Sequence, residues 1–432
     1  MAEASAPTPW LLRWQGLLPS SATQQKRLSD LAGIVLILLM AGLPVLTRAG
    51  LGLIVLACGA LWVLWSLTQT PARIGAISGW LLVFLAVAVL ATGLSPVPSA
   101  AAKGLLKLIS YLGVYALMRQ LLSVSPQWWD RLVAALLGGS LLNSLLALRQ
   151  LYGPTEELAS WADPNSVVEG TIRIYGPLGN PNLLAGYLVP ILPIAIVAMS
   201  RWRGWGSRLY ASTALVLGCA STLFSYSRGG WLGMVASIGV LLLLLLLRYV
   251  RHWPAFWRRL LPLALLVVTG VVLAVAATQF EPIRTRVASI LAGRGDSSNN
   301  FRINVWLAAV DMIQDRPWLG IGPGNAAFNS IYPLYQQPKF NALSTYSVPL
   351  EILVETGIPG LIACLGLGFA SLRNGWLALT ADSGLALPCL GCMGAIAGLM
   401  IQGAADTIFF RPEVQISGWF CLATLSQMRQ EP

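Results

Sequence analysis

The chain has 432 residues, of which 56% are hydrophobic and 10% charged, with a net charge of +11 and a mean hydropathy of +0.69. Soluble domains carry about 25% charged residues, and a run such as Gly239 to Leu247 has no place on a soluble surface. A soluble globular protein is excluded, and basic residues gathered at helix ends rather than along one face argue against a nucleic-acid partner.

The expected fold is all-α and polytopic, because helices satisfy their own backbone groups across lipid. Residues 1–28 contain an acid, three prolines and the interfacial stretch Trp10-Leu11-Leu12-Arg13-Trp14, with no short apolar core before a cleavage site. Residues 1–30 are therefore expected as a cytoplasmic tail, partly in the membrane interface. Nine apolar spans follow within 31–278, near 31–47, 50–68, 76–94, 102–122, 131–151, 182–200, 208–226, 230–248 and 260–278. Three more, near 357–373, 385–404 and 414–428, lie within 350–432. That makes twelve expected transmembrane helices, with a large outer segment at 279–349.

Charge sets the expected orientation. The short connections 201–208 and 248–259 hold Arg201, Arg203, Arg208, Arg248, Arg251, Arg258 and Arg259 and no acid. Basic residues in short loops favour the cytoplasm, which places both termini inside. The loop from Tyr152 to Asn180 and the stretch from Gln279 to Pro349 then face outward, which in a bacterial inner membrane is the periplasm. A polar stretch of about 70 residues is longer than any turn between helices requires.

The six cysteines, Cys58, Cys219, Cys364, Cys389, Cys392 and Cys421, fall in or beside apolar spans. Cys389 and Cys392 have metal-like spacing but no second pair, and His252, the single histidine, lies at the opposite end. No metal or cofactor is expected.

Four outer segments carry charge or helix ends. Asn180 can cap the helix that Pro181 begins, and such an N-terminus can attract an anion. Arg228, in Ser225-Tyr226-Ser227-Arg228-Gly229-Gly230, either snorkels to head groups or reaches a bound anion, the glycines letting it approach the backbone. Arg302 opens an amphipathic stretch with Ile303, Trp306, Leu307, Val310 and Ile313 at helical spacing. The Gly320 to Asn325 segment lacks the spacing of a nucleotide loop but could turn backbone N–H groups toward an anion. Glu355 stands at the mouth of the tenth span, and Asp406 and Arg411 lie beyond the eleventh.

In combination and order, Gly179-Asn180-Pro181-Asn182-Leu183-Leu184, Ser227-Arg228-Gly229-Gly230-Trp231, Arg302…Trp306…Asp315-Arg316-Pro317…Gly320-Ile321-Gly322 and Glu355-x-Gly357-x-x-Gly360 resemble the O-antigen ligase and polymerase superfamily. Asp296 to Leu307 and Tyr332-Pro333-Leu334-Tyr335-Gln336-Gln337 resemble more closely its cyanobacterial branch named for bicarbonate transport, inorganic-carbon-transport B. The superfamily resemblance implies a twelve-helix inner-membrane fold that moves a glycan from a polyprenyl-diphosphate carrier to an acceptor hydroxyl. Arg228 and Arg302 would then hold the diphosphate, with Asn180, Asn182 and Arg316 as further anion-binding candidates. The histidine that the superfamily uses to activate the acceptor is Tyr346 here, a poor base at neutral pH. Catalytic candidates are Tyr346, Glu355 and Asp406. The closer resemblance implies inorganic-carbon accumulation with bicarbonate as the anion, and the alternative is a glycan ligase or polymerase.

Overall fold

The computed structural model describes residues 22–69, 71–153, 173–279 and 293–428, with 284 and 288 besides. Most of the expected N-terminal tail, the middle of the Tyr152 to Asn180 loop and the start of the 279–349 stretch lie outside the described residues. No strand occurs among those described. The helices in chain order are α1 (Ala22–Gly42), α2 (Arg48–Thr68), α3 (Ala76–Gly93), α4 (Pro98–Val124), α5 (Trp128–Arg149), α6 (Pro181–Leu188), α7 (Ile191–Arg201), α8 (Trp205–Phe224), α9 (Arg228–Val250), α10 (Ala255–Gln279), α11 (Ser297–Asp315), α12 (Asn325–Ile331), α13 (Val348–Thr380), α14 (Ala386–Gly403) and α15 (Pro412–Leu425).

Among the described residues, eight stretches are long and apolar enough to cross a membrane: α2, α3, α4, α5, the α6–α7 pair, α9, α13 and α14. The other four expected spans are helical as α1, α8, α10 and α15 but fall outside that group; α15 has only 14 residues. The α6–α7 pair is the hub of the bundle, with 83% of its span buried, and α5, α8, α9 and α14 pack around it. Large side chains such as Leu53 and Phe369 point outward, as lipid-facing positions do. Cys58, Cys389, Cys392 and Cys421 are buried and all six cysteines are free.

The segment between α10 and α13, expected from its sequence to be the outer one, has its own apolar centre, built from Val305, Ala308, Met312, Phe328 and Tyr332 on Ala101 of α4 and Val354 of α13. One expectation is corrected here. The buried stripe of α11 is Asn304, Val305, Ala308, Ala309 and Met312, while Leu307 and Val310 stay exposed. Small residues let the helix approach its neighbours closely, and that outweighs the larger apolar face read from spacing.

α13 is broken. Gly357 has φ 66° and ψ −166°, a region open essentially to glycine. The outer segment supplies the hydrogen bonds that the break removes. Ile321 N–H donates to the Val354 carbonyl at 2.9 Å, Gly322 N–H to the Glu355 carbonyl at 2.9 Å, and Ile358 N–H to the Pro317 carbonyl at 2.8 Å.

Candidate functional site

α6 begins as the sequence suggests. The Asn180 Oδ1 accepts hydrogen bonds from the N–H groups of Asn182 (2.8 Å) and Leu183 (3.3 Å), with Pro181 in the first turn. Asn182 is then held on three sides. Its Oδ1 accepts from Arg173 at 3.0 Å, its amide side chain bonds the Asp406 carboxylate, and its carbonyl accepts from Gln402 at 3.3 Å. Since Oδ1 faces a guanidinium, the amide nitrogen is the atom that donates to Asp406.

Arg228 is the first residue of α9, and the Ser227 hydroxyl caps that helix by accepting from Gly230 N–H at 3.2 Å. Gly230 serves packing: a Cβ there would lie 2.4 Å from that of Ala185. Its lack of a side chain lets α9 reach α6, instead of opening the backbone to a ligand. The Arg228 guanidinium pairs with Asp296 at 3.1 Å, the side chains being 14% and 6% exposed. Asp296 also caps α11 by accepting from Asn299 N–H at 2.9 Å.

Arg302, on α11, donates to the Ser298 hydroxyl one turn back at 2.9 Å. Its Nε is buried with no hydrogen-bond partner among the described residues. Burial pulls the Arg302 proton affinity down, while Asp406 holds it up and Arg228 opposes it. Asp406 sits between α14 and α15, and its carboxylate accepts from the N–H groups of Thr407 and Ile408 as well as from Asn182. Burial pushes its carboxyl above the usual carboxylate range, against the pull of Arg302. Arg173, Arg228 and Arg302 against Asp296 and Asp406 leave one positive charge in the cluster.

Tyr346 reaches the same cluster, acting electrostatically on Arg302 and Asp406. Its φ is 53°, a left-handed backbone uncommon for a side-chain-bearing residue, and its ring packs edge-on against Phe301 at 5.6 Å. Burial, followed by Asp406, pushes its phenol above the usual value. A phenol held protonated in this way is a poor base at neutral pH but keeps a hydrogen to donate.

The remaining candidates lie outside the arginine cluster, Glu355 acting on Lys107 and Glu351 instead. The Glu355 carboxylate accepts from Gly324 N–H at 2.7 Å. The N–H groups of Ile321, Gly322 and Gly324 are thus engaged within α13, so the Gly320 to Asn325 segment is a splint and not an anion loop. Arg316 is likewise placed away from the other arginines, its guanidinium donating to the carbonyls of Leu94 (3.2 Å) and Gly320 (3.4 Å).

Beside Asp406 and Asn180 opens a cavity of about 790 Å³. Arg48, Lys107 and Arg411 face Glu351, Asp406 and Glu413 around it, and Leu51, Val55 and Leu56 of α2 form its apolar wall. The Glu413 Oε2 is buried without a partner among the described residues.

Sequence reasoning missed Arg173, the pairing role of Asp296, and the contribution of Arg48 and Lys107 to the cavity. None carries a local signature. Arg173 is one basic residue in a polar loop, and only the fold brings it to Asn182.

Residues 213–365 match a family model described as O-antigen ligase. That stretch contains Arg228, Arg302, Arg316, Tyr346 and Glu355 and stops short of Asp406. No curated protein matches the chain.

Proposed function

We propose that the chain transfers a glycan from a polyprenyl-diphosphate carrier to an acceptor hydroxyl at the outer face of an inner membrane, as a ligase or polymerase. The observation that carries this reading is the placing of Arg228 and Arg302 together, within the family-matched stretch, on a frame of buried aspartates. Planar guanidiniums suit phosphate oxygens, and the partnerless Arg302 Nε is a donor for one. Asn180, at the N-terminus of α6, adds a helix end beside them.

In the reaction, the acceptor oxygen bonds the anomeric carbon as the bond from that carbon to the diphosphate oxygen breaks. The electron pair leaves with the polyprenyl diphosphate, whose charge the arginines hold. The acceptor proton passes to Asp406, whose carboxylate lines the cavity where the acceptor would lie. Tyr346 donates a hydrogen bond, and Glu355 and Arg316 serve the scaffold. The positive-inside bias supports cytoplasmic termini and an outward-facing site.

Arg228→Ala and Arg302→Ala are expected to remove a surface glycan in the native host at unchanged protein level. Intact envelope glycans after deletion of the gene would overturn the reading.

One observation favours the bicarbonate reading: a protonated phenol occupies the position of the superfamily's histidine, in a cluster with a net positive charge. The family match lends it no support. Uptake of labelled bicarbonate into proteoliposomes no greater than into empty vesicles excludes direct transport.

A further inference from the structure

The far end of α9 carries a second cationic feature, independent of the reaction above. α9 runs from Arg228 to Val250, so its last turn lies roughly 33 Å from the arginine cluster at 1.5 Å per residue. There a cavity of about 790 Å³ opens between α9, α10 and α14. Leu242, Leu246, Leu265 and Leu387 form its walls, and Arg248, Arg251 and His252 line its mouth.

The two arginines are fixed by the fold. Arg248 donates to the carbonyls of Ala378, Leu379 and Ala381, and Arg251 to that of Leu379. These carbonyls are the open end of α13, so the guanidiniums cap a helix C-terminus and their charge stays at the mouth. α10 adds Arg258 and Arg259 near its start, both exposed, with no side-chain partner among the described residues. Arg258 lies seven residues, about two turns, before Leu265 on α10, with Pro262 between them, so its charge is at the same end of α10 as the groove's mouth. Among the described residues the ion pair at this mouth is Arg251 with Asp382 at 3.7 Å, and Asp382 is 88% exposed.

We propose that this groove binds a membrane lipid with an anionic phosphate headgroup, of the phosphatidylglycerol type. One acyl chain lies along the leucines and the phosphate sits among Arg248, Arg251 and Arg258. Charge complementarity selects the occupant. A free phosphate leaves the leucine walls wet, and a zwitterionic lipid brings no net charge to a mouth with this cationic excess. Basic pockets between transmembrane helices hold anionic headgroups on the cytoplasmic side, the side that the positive-inside bias gives this end.

The test uses the full chain in phosphatidylcholine nanodiscs titrated with phosphatidylglycerol, read by thermal unfolding and by lipid adducts in native mass spectrometry. Phosphatidylglycerol is expected to raise the midpoint saturably and to leave one retained adduct, with no such effect from inorganic phosphate. Arg258→Gln combined with Arg259→Gln, which spares the helix-capping arginines, is expected to weaken that adduct about tenfold. Leu246→Trp, which fills the groove and spares every cation, is expected to abolish it. Equal retention of phosphatidylcholine, equal stabilisation by inorganic phosphate, or wild-type retention by the double arginine variant would overturn the proposal.

Discussion

The Gly324 N–H donates to the Glu355 carboxylate at 2.7 Å, two residues before the break in α13 at Gly357. A buried carboxylate at the mouth of a membrane helix invites a catalytic reading, and this contact gives it a mechanical one. Glu355→Gln keeps an oxygen that can accept the same hydrogen bond. It is expected to fold normally and to retain glycan transfer within about threefold, measured on purified protein. Glu355→Ala leaves the N–H unpartnered, at about 1–3 kcal/mol, visible as a lower unfolding midpoint in detergent. A loss of turnover greater than 100-fold in a well-folded Glu355→Gln protein sinks the mechanical assignment.

Gly357→Ala probes the break itself. A Cβ would lie 2.4 Å from the Trp318 carbonyl, in a backbone region that L-residues avoid. The strain term alone is about 1–3 kcal/mol. The expected result is a protein of lowered thermal midpoint whose protease sensitivity rises in the outer segment first. An unchanged midpoint contradicts the geometry.

Asp406 makes a pH prediction with a definite sign. Burial raises its pKa, and a base works only when ionised. Turnover should therefore fall as pH drops through a value above the ordinary carboxylate range, and Asp406→Asn should lose at least about 100-fold. Stability runs the other way. The folded protein binds this proton more tightly than the unfolded chain, so the contribution of Asp406 is fully present below the unfolded pKa, near 3.9, and is lost as pH rises through the folded value. Asp406→Asn also removes the charge opposite Arg302 and one of the oxygens that accept from Thr407, Ile408 and Asn182, so its unfolding midpoint is expected to fall as well. Full turnover in this variant would overturn Asp406 as the base.

Tyr346 separates donor from base. A phenol whose pKa is raised contributes a hydrogen bond, so Tyr346→Phe should keep turnover within about tenfold and leave the acid limb of the pH profile in place. Tyr346→His should fold well, because histidine tolerates positive φ better than most residues. An acid limb that vanishes in Tyr346→Phe would reassign the base.

The helices were legible because length and apolarity suffice to mark them, and neither requires knowledge of neighbours. Asn180 and Pro181 announced their helix start because capping is local. The outer segment was less transparent for the opposite reason. Whether Gly320 to Gly324 cradles an anion or braces a broken helix depends on Val354 and Glu355, more than 30 residues onward. Arg316 and Arg302 carry the same charge, and only tertiary contact sends one to the carbonyls of Leu94 and Gly320 and the other to Asp406. On α11, the apolar period was present in two adjacent stripes, and the smaller side chains won the interface because they allow closer approach.

The splint across Gly357 also limits how this protein can be re-engineered. Three backbone hydrogen bonds and one carboxylate contact join residues 317–324 to residues 354–358. A chimera that exchanges the outer segment alone would leave the carbonyls of Val354 and Glu355 orphaned in an apolar setting. Grafts should carry residues 293–360 as one cassette, since the break in the membrane helix and the loop that mends it form one heritable unit.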